Sequence, residues 1–355
     1  MRIFFCLIIW LASICNIFAS PSEKEEEEFD VTGMIMHHIS DAHEWHIISF
    51  NKGTDKEVSI TMPLPVILWH NGLYVFSSSR FKGGKVVQIG DNYVVYEHGH
   101  VYLTNSEGHL EHDAEGEITS PKPTLDISIT RNVASMFMGV VLLLWFFGSA
   151  ARGYSKRGGL SVPKGVQILV EPIVLFLRDS IVYEQIHDKR KADFFMSYLL
   201  TLFCFIIINN FIGLIPFFPG GSNLSGNIAF TFTLATISFF AVNLFANKHY
   251  WKHLFTAPGI PIPIKVLIIP IEIIGVFTKP FALMLRLFAN VTAGHIIILS
   301  LTAMIFIMGN YAVPFMTVLL SLMMYCLELL VTFLQAYIFT LLTALFIGMA
   351  VNEAH

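Results

Sequence analysis

Charged residues are scarce in this chain of 355 residues: Asp, Glu, Lys and Arg together make up only 14% of it. An ordinary soluble domain carries about a quarter, so the composition excludes a typical cytosolic enzyme and a disordered chain. A basic excess is also missing, because the formal net charge is −4, and nucleic acid is not an expected partner. Hydrophobic residues account for 54% of the chain and the mean hydropathy is +0.64.

Cysteine is rare too, and all of the cysteines lie in apolar runs outside any C-x-x-C pair: Cys6, Cys15, Cys204 and Cys326. A disulfide framework and a cysteine zinc site are therefore not expected. The sequence contains no P-loop, no H-E-x-x-H motif and no G-x-S-x-G motif. These absences exclude nucleotide binding by a P-loop and argue against an intramembrane protease. We expect no cofactor and no metal.

The first twenty residues have the pattern of a secretory signal peptide. Arg2 supplies the positive start, an apolar run follows to about Cys15, and Ala19 and Ser20 offer a cleavage point. A retained membrane anchor is the alternative. In either case we expect residues 21–126 to be exported as a periplasmic domain.

Residues 21–126 are polar and favour a small antiparallel β domain. Short alternating stretches predict strands at 45–50, 58–62, 66–69, 73–76, 86–89 and 93–96. Turn signals stand at Asn71-Gly72 and at Gly90-Asp91. The domain also holds nine of the 14 histidines: His37, His38, His43, His46, His70, His98, His100, His109 and His112. Metal binding or proton buffering is one interpretation, and ordinary surface histidine is the other.

Residues 127–355 form a predicted membrane domain. About 20 apolar residues cross a bilayer, and residues 133–150 fit one span. Residues 194–247 contain no charged side chain and allow two more, with a turn at 219–223. Two further segments, 267–307 and 313–351, complete an all-α membrane protein with about five spans and a small β-rich N-terminal domain.

The basic residues predict the orientation of this domain. They concentrate after the first span and between the third and fourth spans, whereas the turns near Gly220 and Asn310 have none. The positive-inside rule then places the basic links and the C-terminus in the cytoplasm. Residues 163–183 mix apolar and charged side chains, which favours an amphipathic helix on the cytoplasmic surface. A soluble-type helix packed on the bundle is the alternative.

The last two apolar segments are each about twice as long as an upright span requires. Each is therefore either broken or strongly tilted. In an antiparallel hairpin turning near Asn310, facing positions have residue numbers that sum to about 622. His295 then faces Glu328, and Arg286 faces Gln335, which favours one long hairpin. His295 follows Arg286 by nine residues and points to nearly the opposite side of the helix, so the two should line different surfaces.

Polar residues in hydrocarbon usually mark ion or proton routes, because each costs at least ~2.5–3.5 kcal/mol there. Arg286 is a fixed cation, whereas His295 and Glu328 are able to carry protons. This combination suits a proton inlet that ends at an electrostatic barrier. A structural ion pair between Arg286 and Glu328, a hydrogen-bonded His295 and a merely interhelical Gln335 are the alternatives.

Three motifs resemble subunit a of the F-type ATP synthases. They are the stretch from Thr278 through Arg286 to His295, the stretch around Glu328 and Gln335 with the short C-terminal tail, and Asn209-Asn210 to Pro216. The likeness covers about residues 130–355, and the N-terminal domain lies outside it.

The resemblance implies a proton-translocating stator subunit in a bacterial inner membrane, which does not itself react with ATP. Its partners would be the c-ring, subunit b, the lipid bilayer and, indirectly, the F1 sector. Arg286 matches the arginine that faces the ring carboxylate and blocks a leak, with Asn290 and Gln335 as polar neighbours. His295 and Glu328 match the pair lining the external half-channel, in exchanged order, and Glu272 matches a carboxylate near the cytoplasm. A stand-alone transporter or channel remains the alternative, although no inverted repeat is evident.

Overall fold

The computed structural model describes residues 41–50, 58–82, 84–97, 99–113, 118–157, 162–215, 218–256, 261–307 and 312–352, together with Gly33 and Ile35. The predicted signal peptide, His37, His38, His98 and the turn at Asn310 lie outside the described residues.

The region before residue 127 contains small antiparallel sheets, as predicted. The sheets are formed by β1 (Glu44–Phe50) with β2 (Val58–Pro63), by β3 (Pro65–Trp69) with β4 (Leu73–Ser77) and β8 (Leu125–Asp126), and by β5 (Val87–Ile89), β6 (Asn92–Glu97) and β7 (His100–Thr104). Alternation along β3 buries Val66 and Leu68 completely and leaves the strand ends exposed. These side chains form the centre of a separate apolar core for this region.

Two strands, β7 and β8, are not among those predicted from the sequence. β7 follows β6 through a turn at Gly99, whose φ of 84° suits glycine. β8 is only two residues long, which is too short for an alternating pattern to reveal. Both predicted turns are present, with positive φ at Asn71 and at Gly90.

Long apolar helices make up the rest of the chain. They are α1 (Arg131–Arg157), α2 (Val166–Leu177), α3 (Tyr183–Gln185), α4 (Lys189–Leu214), α5 (Ile228–Leu244), α6 (Lys248–Thr256), α7 (Ile262–Ile307) and α8 (Ala312–Val351). Among the described residues, four helices are long and apolar enough to span a membrane, and α5 with α6 makes a fifth if that pair, bent by 97°, is one span. The prediction of about five spans is confirmed.

Polar side chains define where several of these helices begin. The Asp188 carboxylate accepts a hydrogen bond from the Arg190 amide at the start of α4. The Asn227 side chain does the same for the Ala229 amide at the start of α5. Such caps satisfy amides that have no partner within the helix. The Asn227 cap therefore fixes the end of the loop of residues 218–227 at the start of α5.

The predicted amphipathic segment is only partly a surface helix. Its first part, α2, leaves Ile168 and Leu169 exposed. Leu177 and the π-helical turn Arg178–Val182 that follows bury their apolar side chains in the main core. Both interpretations of the sequence therefore apply, each to one half of the segment.

The last two helices form the long hairpin that the polar residues predicted. α7 has 46 residues and α8 has 40, so their lengths are ~69 Å and ~60 Å at the usual rise. Pro270 and Pro280 lie inside α7 without interrupting it, and the alternative of broken segments is wrong. α8 packs on both α7 and α4, and the main core lies around these contacts.

The two ends of the helical region differ in charge. At the end that we call the basic end, Lys191 donates to the Val351 carbonyl at 2.9 Å, and the Asn247 amide donates to the Ala350 carbonyl at 2.8 Å. The opposite end, called here the loop end, contains the loop of residues 218–227, which has no lysine or arginine. The starts of α4 and α6, which carry lysine and arginine, thus meet the C-terminal end of α8 at one end of the region.

Candidate functional site

His295 on α7 and Glu328 on α8 form a buried pair inside the hairpin. Nδ1 of His295 lies 3.8 Å from Oε1 of Glu328, and their side chains are 20% and 6% exposed. Both carboxylate oxygens of Glu328 are buried without a hydrogen-bond partner among the described residues. The predicted facing of these residues is confirmed, and the pair is close enough for a small movement to bring its atoms into hydrogen-bond range.

A glycine makes this arrangement possible. A Cβ atom added to Gly294 would lie 2.8 Å from Oε1 of Glu328 and 3.0 Å from Cδ. The carboxylate therefore rests directly against the backbone of α7. Any side chain at position 294 would displace it.

The ring of His295 is also close to α4 and to the loop of residues 218–227. The position of a Cβ on Gly213 lies 3.9 Å from Nε2 of His295 and 2.8 Å from the Ser222 carbonyl oxygen. The Ser222 hydroxyl donates to Ser135 of α1 at 2.5 Å. Ser222 therefore bonds α1 and approaches α4 at Gly213, the same glycine that the His295 ring of α7 approaches.

Several amide side chains in this region carry buried atoms without a hydrogen-bond partner among the described residues: Asn132 Oδ1, Asn209 Oδ1, Asn210 Nδ2 and Asn223 Nδ2. Buried polar atoms of this kind usually bind internal water. We call these asparagines, with Ser135, Ser222 and Ser225, the polar cluster. Sequence reasoning used only Asn209 and Asn210, although polar residues inside an apolar run could have indicated the others.

Arg286 lies on the outer face of α7, as its helical phase predicts. Its side chain is exposed, and it has no hydrogen bond or ion pair with any described residue. Asn290 is exposed on the same face, whereas Gln335 on α8 is buried and makes no hydrogen bond to Arg286 within the described segments. The residues around Arg286 on this face are small: Ala282, Ala289 and Ala293 are exposed.

Glu272 lies at the basic end of α7, beside His253 of α6. Its Oε2 atom is 3.8 Å from Nδ1 of His253. A cleft of about 560 Å³ opens here and is lined by His249, Tyr250, His253, Leu254, Glu272, Gly275, Val276, Lys279, Met349 and Asn352. Glu272, Lys279 and Arg286 are spaced by seven residues and therefore lie along one side of α7.

The histidines of the β region do not form a metal centre in the described part of the chain. No group of three or more His, Cys, Asp or Glu side chains is placed to hold an ion there. Burial, and then the charge of Lys122, lowers the pKa of His100. Burial alone would raise the pKa of Asp126, but the His43 imidazole 3.6 Å away and Ser128 outweigh it and hold that pKa below its usual value.

Comparison with known proteins identifies the helical region. The family described as ATP synthase A chain matches residues 133–348. ATP synthase subunit a of Chlorobium phaeobacteroides (strain BS1) is 41% identical over 256 residues, which cover 69% of this chain and 74% of the relative. The same subunit of Chloroherpeton thalassium is 42% identical over 239 residues, covering 65% and 70%. ATP synthase subunit a 2 of Prosthecochloris aestuarii is 40% identical over 258 residues, covering 70% and 78%.

The chain belongs to the ATP synthase A chain family. As an A chain, it is a non-catalytic membrane subunit of the proton-translocating F0 sector and a multi-pass protein of the bacterial inner membrane. The family match contains Arg286, His295 and Glu328. A second family, a domain of unknown function (DUF8433), matches residues 34–127. The A chain therefore carries an additional N-terminal region of the β type described above.

Proposed function

We propose that this A chain moves protons through two half-channels beside a ring of c subunits, and that Arg286 separates the two. The observation that carries the proposal is an arginine exposed on the mainly apolar outer face of the α7–α8 hairpin.

Arg286 requires an anionic partner from outside the chain. A charge in hydrocarbon costs at least ~2.5–3.5 kcal/mol, and no described residue compensates Arg286. The exposed alanines beside it let another helix approach closely, as small residues do between membrane helices. A carboxylate on a c-subunit helix fits this surface. Because guanidinium keeps its proton, Arg286 would hold the carboxylate ionised and would not pass a proton itself.

The inlet is the level of His295 and Glu328. Both groups are able to exchange protons, and the polar cluster supplies hydrated groups between them and the loop end. His295 is nine residues from Arg286 along α7, or ~14 Å. A proton bound at the pair is therefore near the ring but displaced from the arginine.

The outlet is the cleft at Glu272 and His253. It opens at the basic end, which the positive-inside rule assigns to the cytoplasm. Glu272 and His295 lie on opposite sides of Arg286 along α7. A proton reaching one from the other would have to pass the fixed positive charge, unless it travels around on the ring. This arrangement couples proton flow to rotation.

The orientation follows from the same charges. The β region and the loop of residues 218–227 would lie in the periplasm, and the C-terminus in the cytoplasm. In this orientation subunit b and the lipid bilayer cover the surfaces that the ring leaves free, and the F1 sector is reached indirectly.

Replacing Arg286 by Ala tests the proposal. Inverted membrane vesicles carrying Arg286→Ala should lose respiration-driven ATP synthesis, because the ring carboxylate no longer gives up its proton. Arg178→Ala is the control, since Arg178 is exposed and paired with Asp179, and it should keep normal synthesis. Wild-type rates in Arg286→Ala vesicles would refute the proposal. Recovery of the wild-type chain without c subunits after mild solubilisation would favour a stand-alone transporter.

A further inference from the structure

Residues 41–45 of the N-terminal region attach it to the loop end of the helical region. The Asp41 carboxylate accepts a hydrogen bond from the backbone N–H of Asn132 at 3.1 Å. The Ala42 carbonyl accepts one from the backbone N–H of Arg131 at 2.8 Å. These bonds cap the first turn of α1, whose amides have no partner within the helix. The first residues of the extra region therefore complete a membrane helix.

Trp45 makes the contact that reaches furthest into the helical region. Its side chain is 6% exposed. The indole Nε1 donates to the Gly220 carbonyl at 3.1 Å, and the ring meets Phe218 edge to face with centroids 5.3 Å apart. A buried indole needs a hydrogen-bond partner for its N–H, so this geometry fixes both the ring and the loop backbone.

The same loop meets α4 at Gly213, which the His295 ring also approaches. Two residues after Gly220, the buried Ser222 bonds to Ser135 and places its carbonyl against Gly213, beside the His295 ring. Ser225 donates to Asn210 from the far side of the loop. The loop thus connects Trp45 with the part of α4 that His295 approaches, and it contributes Ser222, Asn223 and Ser225 to the polar cluster.

We propose that residues 41–45 form the outer rim of the proton inlet, and that Trp45 is a positioning residue which holds the loop of residues 218–227 against His295. This inference rests on the proposed function, because it assigns the inlet to the His295 level. It gives the domain of unknown function a role in proton uptake. The proton itself passes through the polar cluster and does not pass through the indole.

The groups that act on His295 are few. Glu328 faces it from α8, and Arg131 at the start of α1 lies within electrostatic range. In the described parts of α4 and of the loop, the residues facing it are neutral. Displacing the loop would therefore change the hydration of His295 without introducing a new charge.

Trp45→Ala is the first variant. Removing a buried indole shifts a packing equilibrium by more than about 100-fold, so the loop should leave its position. We call the pH at the loop end the external pH and the pH at the basic end the internal pH, whichever way the vesicle is oriented. We expect ATP synthesis driven by an imposed proton gradient to fall at least about fivefold at neutral external pH. The rate should recover as the external pH falls, because an inlet with a displaced loop needs a higher proton concentration to take up protons at the same rate. The dependence on internal pH should stay as in the wild type.

Trp69→Ala is the matched control, because Trp69 belongs to the same β region and is 51% exposed. It should behave as the wild type. Trp45→Phe keeps a ring against Phe218 but loses the bond to Gly220, and should give an intermediate shift of the external pH profile.

Each outcome is decisive. An unchanged external pH profile in Trp45→Ala, or a loss of rate equal at all external pH values, would overturn the inference. If Trp45→Ala fails to accumulate in membranes, Trp45→Phe is measured alone, and a wild-type profile would overturn the inference. Arg286→Ala is measured in parallel: if it retains synthesis, the proposed function fails, whereas its loss together with an unaffected Trp45→Ala rejects only the role of Trp45.

Discussion

Gly294→Ala is the change that tests the inlet most finely. The added Cβ would begin 2.8 Å from Oε1 of Glu328, and ordinary van der Waals contact begins at 3.4 Å. The carboxylate therefore has to move by about 0.6 Å, away from α7. It already stands 3.8 Å from Nδ1 of His295, and the movement should lengthen this distance further. The side chain is flexible, so the helix should tolerate the change and retain its fold.

We expect proton conduction in Gly294→Ala to fall about tenfold. A misplacement of about 1 Å at a reacting centre costs up to ~100-fold, and the movement here is somewhat smaller. The assay is passive proton uptake by vesicles from which F1 has been removed. Gly148→Ala on α1 is the control, since an added Cβ there would make only an ordinary contact, 3.8 Å from Arg152.

Two results would contradict this reasoning. Conduction by Gly294→Ala equal to that of Gly148→Ala would show that the placement of Glu328 against α7 does not control proton transfer. A loss of Gly294→Ala from the membrane fraction, with Gly148→Ala retained, would show that the carboxylate is held too firmly to move.

Three further predictions concern other parts of the chain. Gly213→Ala should lower the thermal stability of the complex, because its Cβ would lie 2.8 Å from the backbone carbonyl of Ser222, which moves less readily than a side chain; the midpoint of thermal unfolding measures this. Asp126→Asn should remove the stabilisation that the ionised Asp126 carboxylate gives to the fold. This stabilisation is present above the ordinary carboxyl pKa and is lost as pH falls through the lowered pKa of the folded state. Hydrogen exchange in the β region at neutral and at acidic pH measures it. Glu272→Gln should slow ATP synthesis and alter its dependence on internal pH, whereas the external profile stays unchanged.

Each of these has a control and a contradicting result. Gly148→Ala is the control for Gly213→Ala, because its Cβ would make only an ordinary contact, 3.8 Å from Arg152. Equal unfolding midpoints in the two variants would contradict the prediction for Gly213. For Asp126→Asn, the wild type and the variant should converge at acidic pH, and a constant difference would contradict the second. Glu184→Gln changes an exposed carboxylate at the basic end; the same internal pH profile in both glutamate variants would contradict the third.

The hairpin and its His295–Glu328 pair could be predicted from the sequence because they follow from helix geometry, whereas the predicted facing of Arg286 and Gln335 gives no contact. The constant sum of facing positions predicts that His295 meets Glu328, and helical phase predicts that Arg286 points elsewhere. Both statements need only the turn position and the number of residues per turn. The missed strand β8 shows the opposite case, since two residues carry no periodic signal.

The contacts around the inlet could not be predicted in this way. Trp45 and Gly220 are 175 positions apart, and no local pattern records their meeting. The sequence around Gly294 is also uninformative by itself, because the glycine is needed only where the Glu328 carboxylate of α8 packs on it. Such close approaches are properties of the assembled bundle. They depend on side chains from separate helices and become visible only in three dimensions.

Proximity of Arg286 to the ring is the central claim, and photo-crosslinking tests it most directly. A photoreactive side chain at position 289, beside Arg286 on the exposed face of α7, should form an adduct with a c subunit in the assembled complex. The same side chain at position 137 of α1, where Phe137 is 53% exposed, serves as the control and should not form that adduct. Labelling of c subunits from position 289 alone is the result we predict, and labelling only of lipid from position 289 would contradict the account.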